Sequence, residues 1–160
     1  MPAAEFVAML GGVFENSPWV AEQAFAGRPF ADIAALHAAM VGVVRGAPRE
    51  AQLGLLNAHP ELAGKEAQTG TLTADSTAEQ RSAGLNALTR AEMERVGRLN
   101  RAYRDRFGFP FIIAVRRHTK DGIFVEFERR IRNDAQTELQ ECLEQVFIIT
   151  RLRLDALVAD

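Results

Sequence analysis

Apolar residues along this chain recur at three- and four-residue steps, a spacing that predicts helices almost throughout. Phe30, Ile33, His37, Met40 and Val44 mark one such helix, and Gly46-Ala47-Pro48 ends it. Leu53 and Leu56 belong to a short helix after that stop, running from Glu50 towards Ala58. Ahead of both, Ser17-Pro18 has the form of an N-cap followed by proline at the first helical position, with Trp19, Val20 and Ala24 behind it. Residues 64–75 are polar, with Gly70 and three threonines, and read as a loop. Residues 76–106 hold no proline and only Gly84 and Gly97, which predicts one long helix, kinked at a glycine if anywhere. Residues 107–115 carry Gly108 and Pro110 and read as extended or irregular backbone. A further helix is expected over 121–132, and Asn133-Asp134 should cap a last long one through Leu157. Only residues 111–115 and 123–127 have strand-like composition, too little for a sheet. The expectation is therefore all-α: a compact single-domain helical bundle, residues 1–160, with long C-terminal helices.

Composition narrows the function more by exclusion than by direction. With 160 residues the chain can bury a real core as one domain. A formal net charge of −2 leaves no basic excess to hold a nucleic acid. No apolar run approaches the length of a membrane span. The single cysteine, Cys142, excludes an internal disulfide and fits a reducing compartment. Met1-Pro2-Ala3-Ala4-Glu5 lacks a basic leader, and Val158-Ala159-Asp160 is not a peroxisomal address, so a cytoplasmic protein is expected.

Chemistry concentrates in a few places. In His59-Pro60 the proline has no N–H and keeps His59 out of helical backbone space, so the imidazole sits where a helix must stop. There it can project into a cleft, or merely cap the helix. Ser76-x-x-Glu79 has the spacing of a capping box at a helix start, whose free N–H groups would suit an anionic or carbonyl-rich ligand. Gln80 beside it offers an amide that can both donate and accept a hydrogen bond. In the last helix, Leu139, Leu143, Val146, Thr150, Leu154 and Leu157 share one face; Arg153 lies at its edge and Arg151 points away. Arg153 could snorkel to water, pair with a carboxylate or hold a ligand. His37 shares the face of Ile33 and Met40 and reads as a core or interface histidine, and His118 as part of a solvated turn. Residues 106–109 superficially have the form of an RNA-binding strand, but Pro110 and the acidic balance argue against it. No metal-ligand spacing, phosphate loop or nucleophile elbow is present, so neither a metal nor another cofactor is expected.

Three strings taken in order carry more than any one alone: His59-Pro60-Glu61-Leu62-Ala63-Gly64-Lys65, Ser76-Thr77-Ala78-Glu79-Gln80, and Phe107-Gly108-Phe109-Pro110-Phe111-Ile112-Ile113-Ala114-Val115-Arg116. Together they resemble the OHCU decarboxylase family, 2-oxo-4-hydroxy-4-carboxy-5-ureidoimidazoline decarboxylases of urate degradation, over nearly the whole chain. The resemblance implies cofactor-free conversion of that small-molecule substrate to (S)-allantoin. It makes His59, Glu79 and Arg153 catalytic and assigns substrate binding to Pro60, Ser76, Thr77, Ala78, Gln80, Phe111, Ile112, Ile113, Ala114 and Val115. It also implies a homodimer, consistent with apolar residues such as Trp19, Phe25, Phe147 and Ile148 on helix faces. Two other readings stand beside it: a non-catalytic helical adaptor or dimerisation module, and a related purine-pathway enzyme acting on another ureido compound. An adaptor would have no use for His59, Glu79 and Arg153, which come from three separate segments.

Overall fold

The computed structural model describes residues 2–158; Met1, Ala159 and Asp160, which take part in the readings of both termini, lie outside the described residues. Among the described residues every regular element is helical: α1 (Ala3–Leu10), α2 (Trp19–Ala24), α3 (Ile33–Arg45), α4 (Arg49–Asn57), α5 (Lys65–Thr69), α6 (Ala74–Ser82), α7 (Arg90–Phe107), α8 (Lys120–Arg130) and α9 (Ala135–Leu157), with 3-10 turns at Phe25–Gly27 and Val115–Arg117. The all-α expectation holds. None of these helices is long and apolar enough to cross a membrane. The chain packs as two compact units, Met1–His59 with Phe147–Asp160, and Pro60–Val146.

In the first unit α2 packs against α1 and α3. The four-residue spacing of Phe6 and Leu10 turns both into the interior, and the Phe6 ring meets Phe25 edge-on at 5.3 Å. α3 begins at Asp32, whose carboxylate accepts the Ala35 N–H at 2.8 Å, and it buries Leu36, Met40 and Val44 before Gly46 closes it. Phe147 of α9 meets the buried Phe14 ring at 6.5 Å. Phe147 is therefore interior and offers no apolar surface to a dimer contact. Ser17 also departs from expectation. Its hydroxyl donates to the Glu15 carbonyl at 3.1 Å, and Pro18 itself occupies the cap position of α2 without a side-chain bond.

The second unit differs more from the sequence reading. The predicted loop at 64–75 contains the short helix α5, closed by Gly70. The predicted long helix from 76 to 106 is two helices. α6 ends in a Schellman turn: Gly84 takes φ 76°, its N–H bonds the Arg81 carbonyl at 3.0 Å, and the Leu85 N–H reaches the Gln80 carbonyl at 3.0 Å. The chain restarts at Thr89, where a true capping box with Glu92 opens α7. The box expected at Ser76 and Glu79 does not exist. Thr73 is the cap of α6, its hydroxyl accepting the Ser76 N–H at 3.2 Å, so Ser76 already lies inside the helix. Asp134 caps α9 as expected, accepting from the Thr137 N–H at 2.8 Å. Inside this unit Tyr103 is ringed by Phe107, Phe109, Phe111 and Phe127, and the last two rings stack at 3.9 Å.

Candidate functional site

Within the first unit the sequence-predicted His59 and Arg153 come together around a residue that the sequence reading missed. His59 follows α4, held there because Pro60 stops the helix, and is only 6% exposed. Its Nε2 is buried with no hydrogen-bond partner among the described residues. Burial pushes its pKa down to about 4; the Glu15 carboxylate pulls it up and the Arg153 guanidinium pushes it further down. An imidazole ordinarily titrates near working pH, but this one is neutral there, ready to accept a proton before it gives one.

Arg153 is buried on α9, its Nη2 donating to Glu15 Oε2 at 2.8 Å and its Nη1 to the Val13 carbonyl at 3.2 Å. Arg151, two residues earlier, is exposed and pairs with Asp155 at 3.1 Å. The helical phase that separated the two arginines is therefore right. Glu15, in the loop between α1 and α2, is 2% exposed. Its one signal in the sequence was a lone acid straight after apolar Val13-Phe14, which resembles any surface loop. The other two histidines lie elsewhere. His37 Nε2 meets the Thr150 hydroxyl at 2.9 Å, half-buried, its pKa lowered chiefly by burial, and His118 caps the turn Val115–Arg117.

The second unit holds the remaining candidates. Glu79 is half-buried on α6, more than a turn beyond the Thr73 cap, so the free N–H groups of the helix start are not beside it. Ser76 is buried, whereas Thr77 and Ala78 are exposed. Gln80 faces inward and uses its amide on the backbone after Pro60: Oε1 accepts the Ala63 N–H at 2.9 Å, and Nε2 donates to the Glu61 carbonyl at 3.4 Å. Asn100 Nδ2 adds a bond to the Leu62 carbonyl at 3.0 Å. These bonds hold Ala63 at φ 47°, a left-handed conformation unusual for a residue with a side chain. The substrate-binding amide expected at Gln80 is thus, in this structure, a strap on the turn that follows His59-Pro60.

α6 packs against the turn Val115–Arg117, which brings the 76–80 segment beside the end of the 111–115 segment. Phe111, Ile112, Ile113, Ala114 and Val115 are all buried on irregular backbone, as expected. Two bonds fix that backbone: Arg130 Nη1 donates to the Ile112 carbonyl at 2.7 Å, and the Ala114 N–H donates to Gln145 Oε1 at 2.9 Å. A cleft of about 390 Å³ in this unit is lined by Ala63, Gln68, Leu72, Thr77, Gln80 and Met93, among others. Thr77 and Gln80, two of the expected substrate-binding residues, line it, whereas Glu79 and residues 111–115 do not. Among the described residues no group of three His, Cys, Asp or Glu side chains could hold a metal ion.

Comparison with known proteins shows the family. The family model for OHCU decarboxylase matches residues 1–155. The chain is 44% identical over 149 residues to the 2-oxo-4-hydroxy-4-carboxy-5-ureidoimidazoline decarboxylase of Haloferax volcanii, covering 93% of this chain and 86% of that one. It is 42% identical to the uric acid degradation bifunctional protein PucL of Bacillus subtilis, covering 94% of this chain but 30% of that one. The crystal structure of an (S)-allantoin synthase superimposes with a TM-score of 0.76 at 35% identity, covering 99% of this chain and 51% of that one. Fold and relatives make this protein an all-α enzyme of the lyase class. The chain belongs to the OHCU decarboxylase family.

Proposed function

We propose that the chain decarboxylates 2-oxo-4-hydroxy-4-carboxy-5-ureidoimidazoline to (S)-allantoin, working as one domain over residues 1–160, with His59, Glu79 and Arg153 as its catalytic residues. Family membership supports the substrate, and the observation that carries the site is the buried His59 whose Nε2 has no hydrogen-bond partner among the described residues. A buried ring nitrogen without a partner costs stability unless a ligand uses it. As CO2 leaves, its electron pair enters the ring, and the adjacent C=N bond takes up that charge. The ring nitrogen gains a proton from solvent. Neutral His59 accepts the hydroxyl proton, leaving a carbonyl, and returns it to the neighbouring carbon on one face, which sets the S configuration. No pyridoxal, thiamine or metal is required, because the substrate carries its own electron sink.

Arg153 assists most where it meets ring oxygen or nitrogen, since charge accumulates there while the carboxylate disappears. Glu79 holds the ureido and ring N–H groups, with Ser76, Thr77, Ala78 and Gln80 of α6 alongside and Pro60 and Phe111 to Val115 forming the wall. The enzyme works in the cytoplasm, and it pairs as a homodimer; supporting the dimer, Met9, Leu157 and Val158 are each more than half exposed, and Trp19, Phe25 and Ile148 are only partly covered. Light scattering should report about twice the 17.6 kDa chain mass.

The test of activity generates the unstable substrate in situ from urate by oxidation and hydrolysis. With this protein present, one allantoin enantiomer should form faster than the spontaneous product, read by circular dichroism, and chelators should not slow it. Racemic allantoin at the uncatalysed rate would refute the proposal.

A further inference from the structure

We propose that Glu15 is a positioning residue for this reaction: its carboxylate fixes the Arg153 guanidinium in the orientation that substrate meets, and the short segment carrying it fastens His59 to the same frame. The inference rests on the reading of Arg153 and His59 as catalytic and adds a residue that this reading does not contain. The geometry is that of a clasp. Two different guanidinium nitrogens are held from one segment, Nη2 by Glu15 Oε2 at 2.8 Å and Nη1 by the Val13 carbonyl at 3.2 Å. Two anchors on separate nitrogens remove rotation of the planar group. The next residue, Asn16, takes φ 50°, which an asparagine tolerates, and its Nδ2 donates to the carbonyl of Ala58 at 3.2 Å. Ala58 immediately precedes His59. Ser17 closes the segment on itself, its hydroxyl donating to the Glu15 carbonyl at 3.1 Å. Residues 13–17 therefore grip α9 through contacts 138 and 140 positions away in sequence, and the end of α4 through one 42 positions away.

Charge gives the clasp a second consequence. A buried guanidinium with no counter-ion would bind the substrate carboxylate strongly in the ground state, and that attraction is lost as CO2 forms. Paired with Glu15, and with His59 neutral, the group carries no net charge. Arg153 then contributes directed N–H bonds to the part of the ring that gains charge, without holding back the part that leaves.

A double-mutant cycle on the full chain, with kcat and KM measured and folding checked by circular dichroism, tests this. Glu15→Gln keeps the size and removes the charge; it should lower kcat by about 10²-fold, as a misplaced catalytic group does, and lower KM as well, because the unpaired guanidinium then holds the substrate carboxylate in the ground state. In an Arg153→Ala background the same change should cost nothing further, because the residue it acts through is gone. Equal losses in both backgrounds, or a Glu15→Gln protein with normal kcat, would overturn the proposal while leaving Arg153 catalytic. A fully active Arg153→Ala would strike the catalytic reading first and the role of Glu15 with it. Should Glu15→Gln fail to fold, Glu15→Asp, which keeps the charge but draws the carboxylate back by one methylene, carries the same cycle. A normal kcat in that variant overturns the proposal.

Discussion

Each of the two units buries one arginine–glutamate pair, and the pairs differ in what surrounds them. In Pro60–Val146, Arg130 and Glu138 are 1% and 0% exposed and bonded on every side. Arg130 Nη2 meets Glu138 Oε2 at 2.8 Å and its Nε lies 3.1–3.2 Å from both oxygens; Nη1 takes the Ile112 carbonyl, and the guanidinium lies 4.4 Å from the Phe111 ring centroid. Glu138 also accepts from Tyr103 and from Asn133. Burial alone would lower the Arg130 pKa, but bonds and charge from Glu138 hold it above its ordinary value. In the first unit, Glu15 and Arg153 are also buried, at 2% and 6% exposed, yet the histidine beside them keeps a nitrogen without a hydrogen-bond partner among the described residues. A closed network fixes a shape, whereas one left open next to a titratable ring is available for chemistry. Burial of charge does not separate the two pairs; the unfilled bond does.

That contrast can be broken by mutation. The largest effect should fall on turnover in the open cluster: His59→Ala and Arg153→Ala should each cost about 10²–10⁴-fold in kcat/KM. Losses of that size from Arg130→Lys at unchanged stability would show that the closed network is catalytic too. Next comes Arg130→Ala, which strands a buried carboxylate and should cost about 3–5 kcal/mol in denaturant unfolding. A loss below about 1 kcal/mol would mean that the network is not what holds the 111–115 backbone.

The open cluster should also carry a pH signature. His59 has a folded pKa of about 4 against an ordinary value of 6.5, so between those values the unfolded chain binds a proton that the folded one refuses. Its contribution to stability is complete above the unfolded pKa and declines by roughly 1.4 kcal/mol per pH unit as pH falls from about 6.5 towards 4. His59→Gln should flatten that slope, and an unchanged slope would place the titration elsewhere. The smallest effect belongs to Arg151→Ala. Its pair with Asp155 is about half exposed and should be worth at most about 0.5 kcal/mol, with turnover untouched.

Much of this was legible in the sequence because the signals were local. Helical spacing marked α3, α8 and α9, proline fixed the end of α4 at His59, and the α9 wheel put Arg153 inside and Arg151 outside. Two local signals were present but outweighed. Gly84 and Thr89-x-x-Glu92 encode the break between α6 and α7, which the lack of proline masked. Thr73, one turn before Ser76, encodes the real cap. What lay out of reach was contact between distant residues. Nothing near Glu15 announces a guanidinium 138 positions on, and nothing near Gln80 announces that its amide is taken by the 61–63 backbone. Such contacts depend on how helices pack, not on the pattern along any one of them.

The lone thiol offers a practical consequence. Cys142 is fully buried among Tyr103, Arg130 and Glu138, and burial pushes its pKa up to about 11. An inaccessible, protonated thiol does not react with alkylating reagents. With one cysteine in 160 residues, every labelling event on the chain counts an opening of the Pro60–Val146 interior. Mass spectrometry after timed exposure to an alkylator would thus clock the rarest breathing motions of that unit without any engineered probe.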